Sequence, residues 1–292
     1  MKESAQESSQ KELASVIIAA PDMLGRLVGR RTVYKAPAEG HHLEAAICSS
    51  ILAWDIEQEP IANLSIAGFH TGWQDFDIVS DNASIRPIGW MNRTGLAIGD
   101  VYTRDGAKVS VAPRAVLQAQ IDKLKAAGLT AVVATELEFY LVPDAHSNQV
   151  VSEKRHDYAI DEVTDSMEPF FEELRDTLAV SGVFVESWQA EWGLGQWEVN
   201  LVRGNPLEVA DAHVLFKLAV KNVARKHGFK ANFMAKPSTE QVGSSGHIHL
   251  SLFDASKQNV LFDASKKDLL SKTALHAIAG ILQYTNDCLP LY

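Results

Sequence analysis

Few residues in this chain could cross-link it: among its 292 residues only Cys48 and Cys288 carry thiols. Two cysteines exclude a disulfide framework and a cysteine metal cage. They point to a reducing compartment, hence the cytoplasm. No apolar run approaches the length of a membrane span. The opening MKESAQESSQKE lacks the apolar core of a signal peptide, and residues 1–12 read as a short disordered start. Basic residues are the minority, with 27 Lys and Arg against 37 Asp and Glu and a net charge of −10. That balance argues against a nucleic-acid backbone as the main partner, because phosphate neutralisation needs a basic surface. Small anions stay open, since a local cation or bound metal reverses the sign inside one pocket.

What is present is an α+β pattern. From Leu13 to about Lys108, short apolar runs (Val16–Ala19, Arg26–Tyr34, Ser84–Ile88, Gly95–Tyr102) alternate with turn residues. Pro113 then opens a helix that Gly128 stops, with Val116, Leu117, Ile121 and Leu124 on one side. The domain boundary falls at about residue 110. Beyond it, strands are predicted at Thr130–Val142, Val183–Trp188, Gln196–Arg203, Phe229–Lys236 and His247–Phe253. Helices are predicted at Glu168–Ser181, from Asn205 and Pro206 to His227, and from about Lys267 to Cys288.

Three segments carry candidate chemistry. In Thr135-Glu136-Leu137-Glu138-Phe139-Tyr140, the period of two puts both carboxylates on one strand face and the apolar residues on the other. Like charges so close ask for a cation, and carboxylate oxygens suit magnesium or manganese. Taken alone, the motif reads more readily as a solvent-facing pair on a half-exposed strand. In the second segment, Glu198 lies on a strand with Gln196 and Asn200 on its face, while Glu191 sits in a loop with Gly193, Gly195 and three flanking tryptophans. A structural acid bonded to backbone amides explains Glu191 as well. The third, Gly243-Ser244-Ser245-Gly246 followed by His247-Ile248-His249-Leu250-Ser251-Leu252, alternates strictly. His247, His249 and Ser251 face one way and Ile248, Leu250 and Leu252 face the core, after a loop whose backbone N–H groups could meet an anion. His-x-His also marks amidohydrolases on TIM barrels, but there it comes early and further histidines follow; here only His276 does.

Together these segments resemble glutamine synthetase. The match runs through Glu136-Leu137-Glu138-Phe139, Gly195-Gln196-Trp197-Glu198, Phe233-Met234-Ala235-Lys236-Pro237 and His247-Ile248-His249-Leu250 in the family's order, and covers nearly everything after residue 12. The resemblance implies a small N-terminal β-grasp domain (13–110) followed by a glutamine-synthetase-type catalytic domain (111–292), incomplete because family members continue beyond Tyr292. It implies an ATP-dependent ligase joining the γ-carboxylate of glutamate to ammonia or an organic amine through γ-glutamyl phosphate, in homo-oligomeric rings with active sites between subunits. By the same resemblance, Glu138, Glu191 and Glu198 would hold one magnesium or manganese ion. Glu136, with His247 beside it, would hold a second. The loop from Gly243 would meet glutamate, and His249 and Ser251 would meet ATP. Where the family carries an aspartate for ammonium, this sequence has Ile47, which resembles the branch that uses larger amines. No arginine follows Ser251, whereas the family's later segment supplies phosphate-binding arginines. Alone, the chain is therefore expected to be weakly active or inactive. A catalytically deficient member that binds nucleotide or glutamate, or joins an intact paralogue's ring, is the alternative.

Overall fold

The computed structural model describes residues 13–35, 42–145 and 154–289; the start expected to be disordered, residues 1–12, lies outside them. The strands in chain order are β1 (Ser15–Pro21), β2 (Leu27–Val33), β3 (Leu43–Cys48), β4 (Asp75–Ser80), β5 (Arg86–Pro87), β6 (Thr94–Ile98), β7 (Asp100–Thr103), β8 (Thr130–Pro143), β9 (Val185–Ala190), β10 (Gln196–Leu201), β11 (Phe229–Asn232) and β12 (Gly246–Phe253). The α-helices are α1 (Pro113–Ala126), the single turn α2 (Glu162–Asp165), α3 (Glu168–Val180), α4 (Pro206–Lys226) and α5 (Lys272–Cys288). The fold is mixed α+β. No described helix is long and apolar enough to cross a membrane.

Two small sheets form the N-terminal part, one ordered β2-β1-β6-β5 and one β3-β4-β7. Strand β1 joins two cores through its period of two. Val16, Ile18 and Ala20 enter a core with Ile51, Phe76, Ile78 and Val101. Ala19 points the other way, into the core built around Phe139, Phe170 and Phe216. Ala112 and Ala115 in turn pack into the N-terminal core, so the two parts interlock around residue 110.

The third sheet positions the site. Its order is β11-β8-β10-β9, and β12 pairs with the N-terminal half of β8 on the edge that β11 uses further along. Long β8 is therefore flanked on both sides. One face of this sheet, bearing Phe139, Leu141, Trp197, Val199 and Leu201, is buried under α3 and α4, which contribute Phe170, Leu174, Phe216 and Val220. Phe139 is fully buried. Trimming a phenylalanine in such a place to alanine costs about 3–5 kcal/mol. Helix α4 starts where Asn205 accepts a hydrogen bond from the Leu207 amide at 3.0 Å, with Pro206 as its first residue. Helix α1 begins at Pro113 and stops before Gly128, whose φ of +73° suits a left-handed stop.

Several elements differ from the sequence pattern. Strands β3 and β4 add to the runs read from the sequence: LEAAIC, with two Ala and one Glu, is a weak strand former that pairing with β4 fixes as a strand. Helix α5 begins at Lys272 rather than about Lys267, because the Ser271 hydroxyl caps it by accepting from the Ala274 amide at 3.0 Å. Strand β11 ends at Asn232. On α1, Ala115 is the buried position and Val116 is exposed. Of the three β12 residues expected to face the core, Leu252 is buried but Ile248 and Leu250 are exposed, at 72% and 42%. They lie on the helix-bearing face, where α3 and α4 cover the far half of β8 and leave this part bare.

Candidate active site

The face of the third sheet opposite the helices collects the acids. Glu138 is the register partner of Glu198 across β8 and β10, and Glu136 is the partner of His247 across β8 and β12 and of Asn200 across β8 and β10. Partners in antiparallel strands share a face, so Glu136, Glu138, Glu198 and His247 converge there from three strands. Single atoms of Glu136, Glu198 and His247 lie within 4.8 Å of one another, the spacing of a shared cation. The Nδ1 of His247 stands 3.1 Å from Glu136 Oε2 and 3.8 Å from Glu198 Oε2. His249, two residues on, places Nε2 2.9 Å from Glu136 Oε1. Ser251 continues the same strand and pairs with Val132.

Glu198 is only 6% exposed, which makes its charge expensive. Burial pushes its carboxyl above the usual range, and Glu136 and Glu138 add to the rise. Gln189, its register partner on β9, donates to Glu198 Oε1 at 2.5 Å and partly offsets this. Glu191, in the β9–β10 turn, is likewise pushed up by burial first, then by Glu198 and Glu138. Glu138 has a positioning role within the chain. Its Oε2 accepts from Gln196 Nε2 at 2.9 Å and from the Ser245 amide at 3.0 Å. Gln196 also donates to the Gly243 carbonyl at 3.0 Å, so one amide fastens the glycine–serine loop to the sheet. The turn itself depends on Gly193: a Cβ there would meet Tyr140 Oη at 2.1 Å.

The donor set fits a magnesium- or manganese-type cation: carboxylate oxygens of Glu136 and Glu198 and the His247 imidazole, with the Glu198 carboxyl raised. A further oxygen on the same face, Asn200 Oδ1, is buried without a hydrogen-bond partner. Two contributors escape sequence reasoning. Gln189 emerges only from strand register. Tyr158 takes a φ of 52°, bonds its amide to the Ala190 carbonyl at 3.1 Å, and has a phenol pushed up chiefly by the nearby Glu191. Ile47 lies on β3 and packs, half-buried, against the N-terminal core.

Carboxylates and imidazoles converging on one sheet face, with an anchored glycine–serine loop at the edge, define the class as a candidate metal-dependent enzyme centre on an α+β scaffold. The family model "Glutamine synthetase, catalytic domain" matches residues 110–292. The chain belongs to the glutamine synthetase family. It is 31% identical to the gamma-glutamylethanolamide synthetase of Streptomyces coelicolor over 96% of this chain and 62% of that protein. It is 28% identical to a glutamate–isopropylamine ligase of Pseudomonas over 84% of this chain and 55% of that protein. Among solved structures, a GmaS/ADP complex superposes with a TM-score of 0.76 at 22% identity, covering 96% of this chain and 62% of that one, a likeness of fold. The chain thus spans about three fifths of the length of these relatives.

Proposed function

We propose that this chain carries the acidic half of an ATP-dependent ligase that joins the γ-carboxylate of glutamate to an organic amine. One observation carries the reading: Glu136, Glu138, Glu198 and His247 converge from three strands around a spacing that suits a divalent cation. In this reading Glu136, Glu198 and His247, with Glu191 near them, hold magnesium or manganese. A divalent cation there neutralises the negative groups that meet when a γ-phosphoryl group is transferred to a carboxylate. Glu138 and Gln196 hold the loop from Gly243 in place for glutamate, and His249 braces Glu136. The nucleotide lies toward His249 and Ser251. Relatives named for ethanolamide and isopropylamine products, and Ile47 in place of an ammonium-binding acid, favour an organic amine over ammonia. Residues 13–110 and 111–292 are the two domains of a cytoplasmic, ring-forming ligase.

A second reading is a chain that binds nucleotide or glutamate, or joins the ring of an intact paralogue, without turnover. It is favoured by the exposed apolar residues Ile248 on β12 and Ile281 and Leu282 on α5. ADP release from added ATP by the purified chain, with manganese, L-glutamate and a panel of amines, separates the two. Release that needs both glutamate and an organic amine and vanishes in Glu138→Ala supports the ligase. Ammonia preferred over every organic amine would overturn the acceptor assignment. No release from folded protein would overturn catalysis by this chain.

A further inference from the structure

A cavity of about 370 Å³ lies where the third sheet meets the start of α3. A cavity of about 150 Å³ already holds benzene, so a larger aromatic fits here. Met167, Phe170, Trp197 and Phe229 supply its apolar wall. The rings are fixed by their neighbours. Phe170 meets Phe171 edge-on with centroids 4.9 Å apart and His227 edge-on at 5.8 Å, and Phe171 packs on Trp197 at 4.7 Å. A preformed aromatic wall favours an aromatic occupant, because oriented ring contacts add to simple burial. The polar lining selects against an anion. Among the described residues no Lys or Arg lines the cavity, and Glu191 does. Its two imidazoles already face carboxylates, His156 with Nδ1 2.7 Å from Asp161 Oδ2 and His227 with Nε2 2.9 Å from Glu173 Oε2. The hydroxyl residues Thr164 and Ser166 add a weak polar edge that suits a neutral molecule.

Gln196 joins this cavity to the acidic face. It lines the cavity, and its amide is fully used on the other side. Oε1 accepts from the Gly193 amide at 2.9 Å, while Nε2 donates to Glu138 Oε2 at 2.9 Å and to the Gly243 carbonyl at 3.0 Å. Glu138 Oε2 in turn accepts from the Ser245 amide at 3.0 Å. At 2% exposure, Gln196 has no solvent-side rotamer to escape into. An occupant that packs against it therefore steadies Glu138 and the glycine–serine loop together. We propose that this cavity is an effector site for an uncharged aromatic molecule of about indole size, whose binding is felt at the acidic face through Gln196. The site is separate from the carboxylate cluster, and its occupancy does not depend on turnover by the chain. Coupling of this kind is reciprocal: whatever factor the aromatic adds to cation affinity, the cation adds to affinity for the aromatic.

The test uses the full chain. Binding of indole, of its anionic relative indole-3-acetate and of aliphatic n-hexanol is followed by ligand-observed NMR. Hydrogen exchange of the Ser245 amide, with chelator present, reads the effect on the acidic face without any metal. Manganese affinity with and without indole, from the electron paramagnetic resonance of the free ion, reads the reciprocal effect. Ser166→Trp is the primary variant, because Ser166 lines the cavity yet is exposed on the α2–α3 connection, so the added ring threatens the fold least. Val163→Trp fills the cavity from a second position, and circular dichroism checks the fold of both. The expected result is saturable indole binding, about tenfold weaker for the other two probes and in the filled variants. Indole should slow Ser245 exchange about fivefold and tighten manganese by a similar factor, and neither effect should survive cavity filling. No saturable indole binding, binding unchanged in both folded variants, or Ser245 exchange indifferent to bound indole would overturn the proposal. Slowed exchange in a chain that binds no manganese would uphold the effector site and count against the metal-dependent ligase reading. Manganese binding with no response to indole in either readout would do the opposite.

Discussion

Replacing Glu198 by glutamine separates the electrostatic cost of the acidic face from its use. Glutamine keeps the shape and the oxygen that accepts from Gln189, so the change removes mainly charge. Glu198 is buried opposite Glu138 and near Glu136. At about 5 Å and an effective dielectric of about 20, each repulsion is worth about 3 kcal/mol before relaxation and screening. Nearby His247 offsets part of this. A net gain of about 1–3 kcal/mol is expected for the metal-free variant, or about 2–6 °C in melting temperature for a chain of this size. The metal arm runs the other way. Manganese at about 100 times its dissociation constant stabilises the wild type by about 2.7 kcal/mol, and a site weakened about thirtyfold retains less than about 1 kcal/mol. The assay is thermal unfolding of both proteins with chelator and with manganese. Sign and pH agree: raised carboxyl values mean the folded state binds protons more readily, so metal-free stability falls as pH rises from about 4.5 through the raised values. A Glu198→Gln protein that melts lower without metal, or gains as much from manganese as the wild type, would refute this account of the face.

Two further outcomes test the scaffold. Arg114 on α1 bonds Asp100 on β7 and Asp211 on α4, tying the N-terminal sheets to the helices. Burial pushes Asp211 up, and Arg114 only partly restrains it, whereas Asp100 also has Lys108 at 2.7 Å. Arg114→Ala should therefore cost about 3–5 kcal/mol in urea unfolding, and Lys108→Ala under about 1 kcal/mol; equal losses would dissolve the distinction. His213 on α4 is held down to about 4, by burial and then by Lys217. The unfolded chain takes that proton first as pH falls below 6.5, so stability present above 6.5 is lost toward about 4, with a slope of at most about 1.4 kcal/mol per pH unit. Urea midpoints across that window should flatten in His213→Gln, and an unchanged slope would show that His213 stays charged in the fold.

By itself the sequence determined the parts whose cause is local. Pro113 and Gly128 bound α1, Asn205 caps α4, and the alternation in Glu136-Leu137-Glu138 and His247-Ile248-His249 sorts acids and imidazoles from apolar residues. The motif order also pointed to the family. Tertiary structure decided what depends on register and cover. That Glu136 faces His247 and Glu138 faces Glu198 is a property of strand pairing, which no residue encodes alone. Gln189 joins the site for the same reason, and Tyr158 does so through a turn whose amide bonds the Ala190 carbonyl. Strand β3 is fixed by its pairing with β4, since LEAAIC by itself argues only weakly for a strand. Ile248 and Leu250 obey the alternation yet stay exposed, because period fixes only which face a side chain takes. What covers that face is set by where α3 and α4 pack.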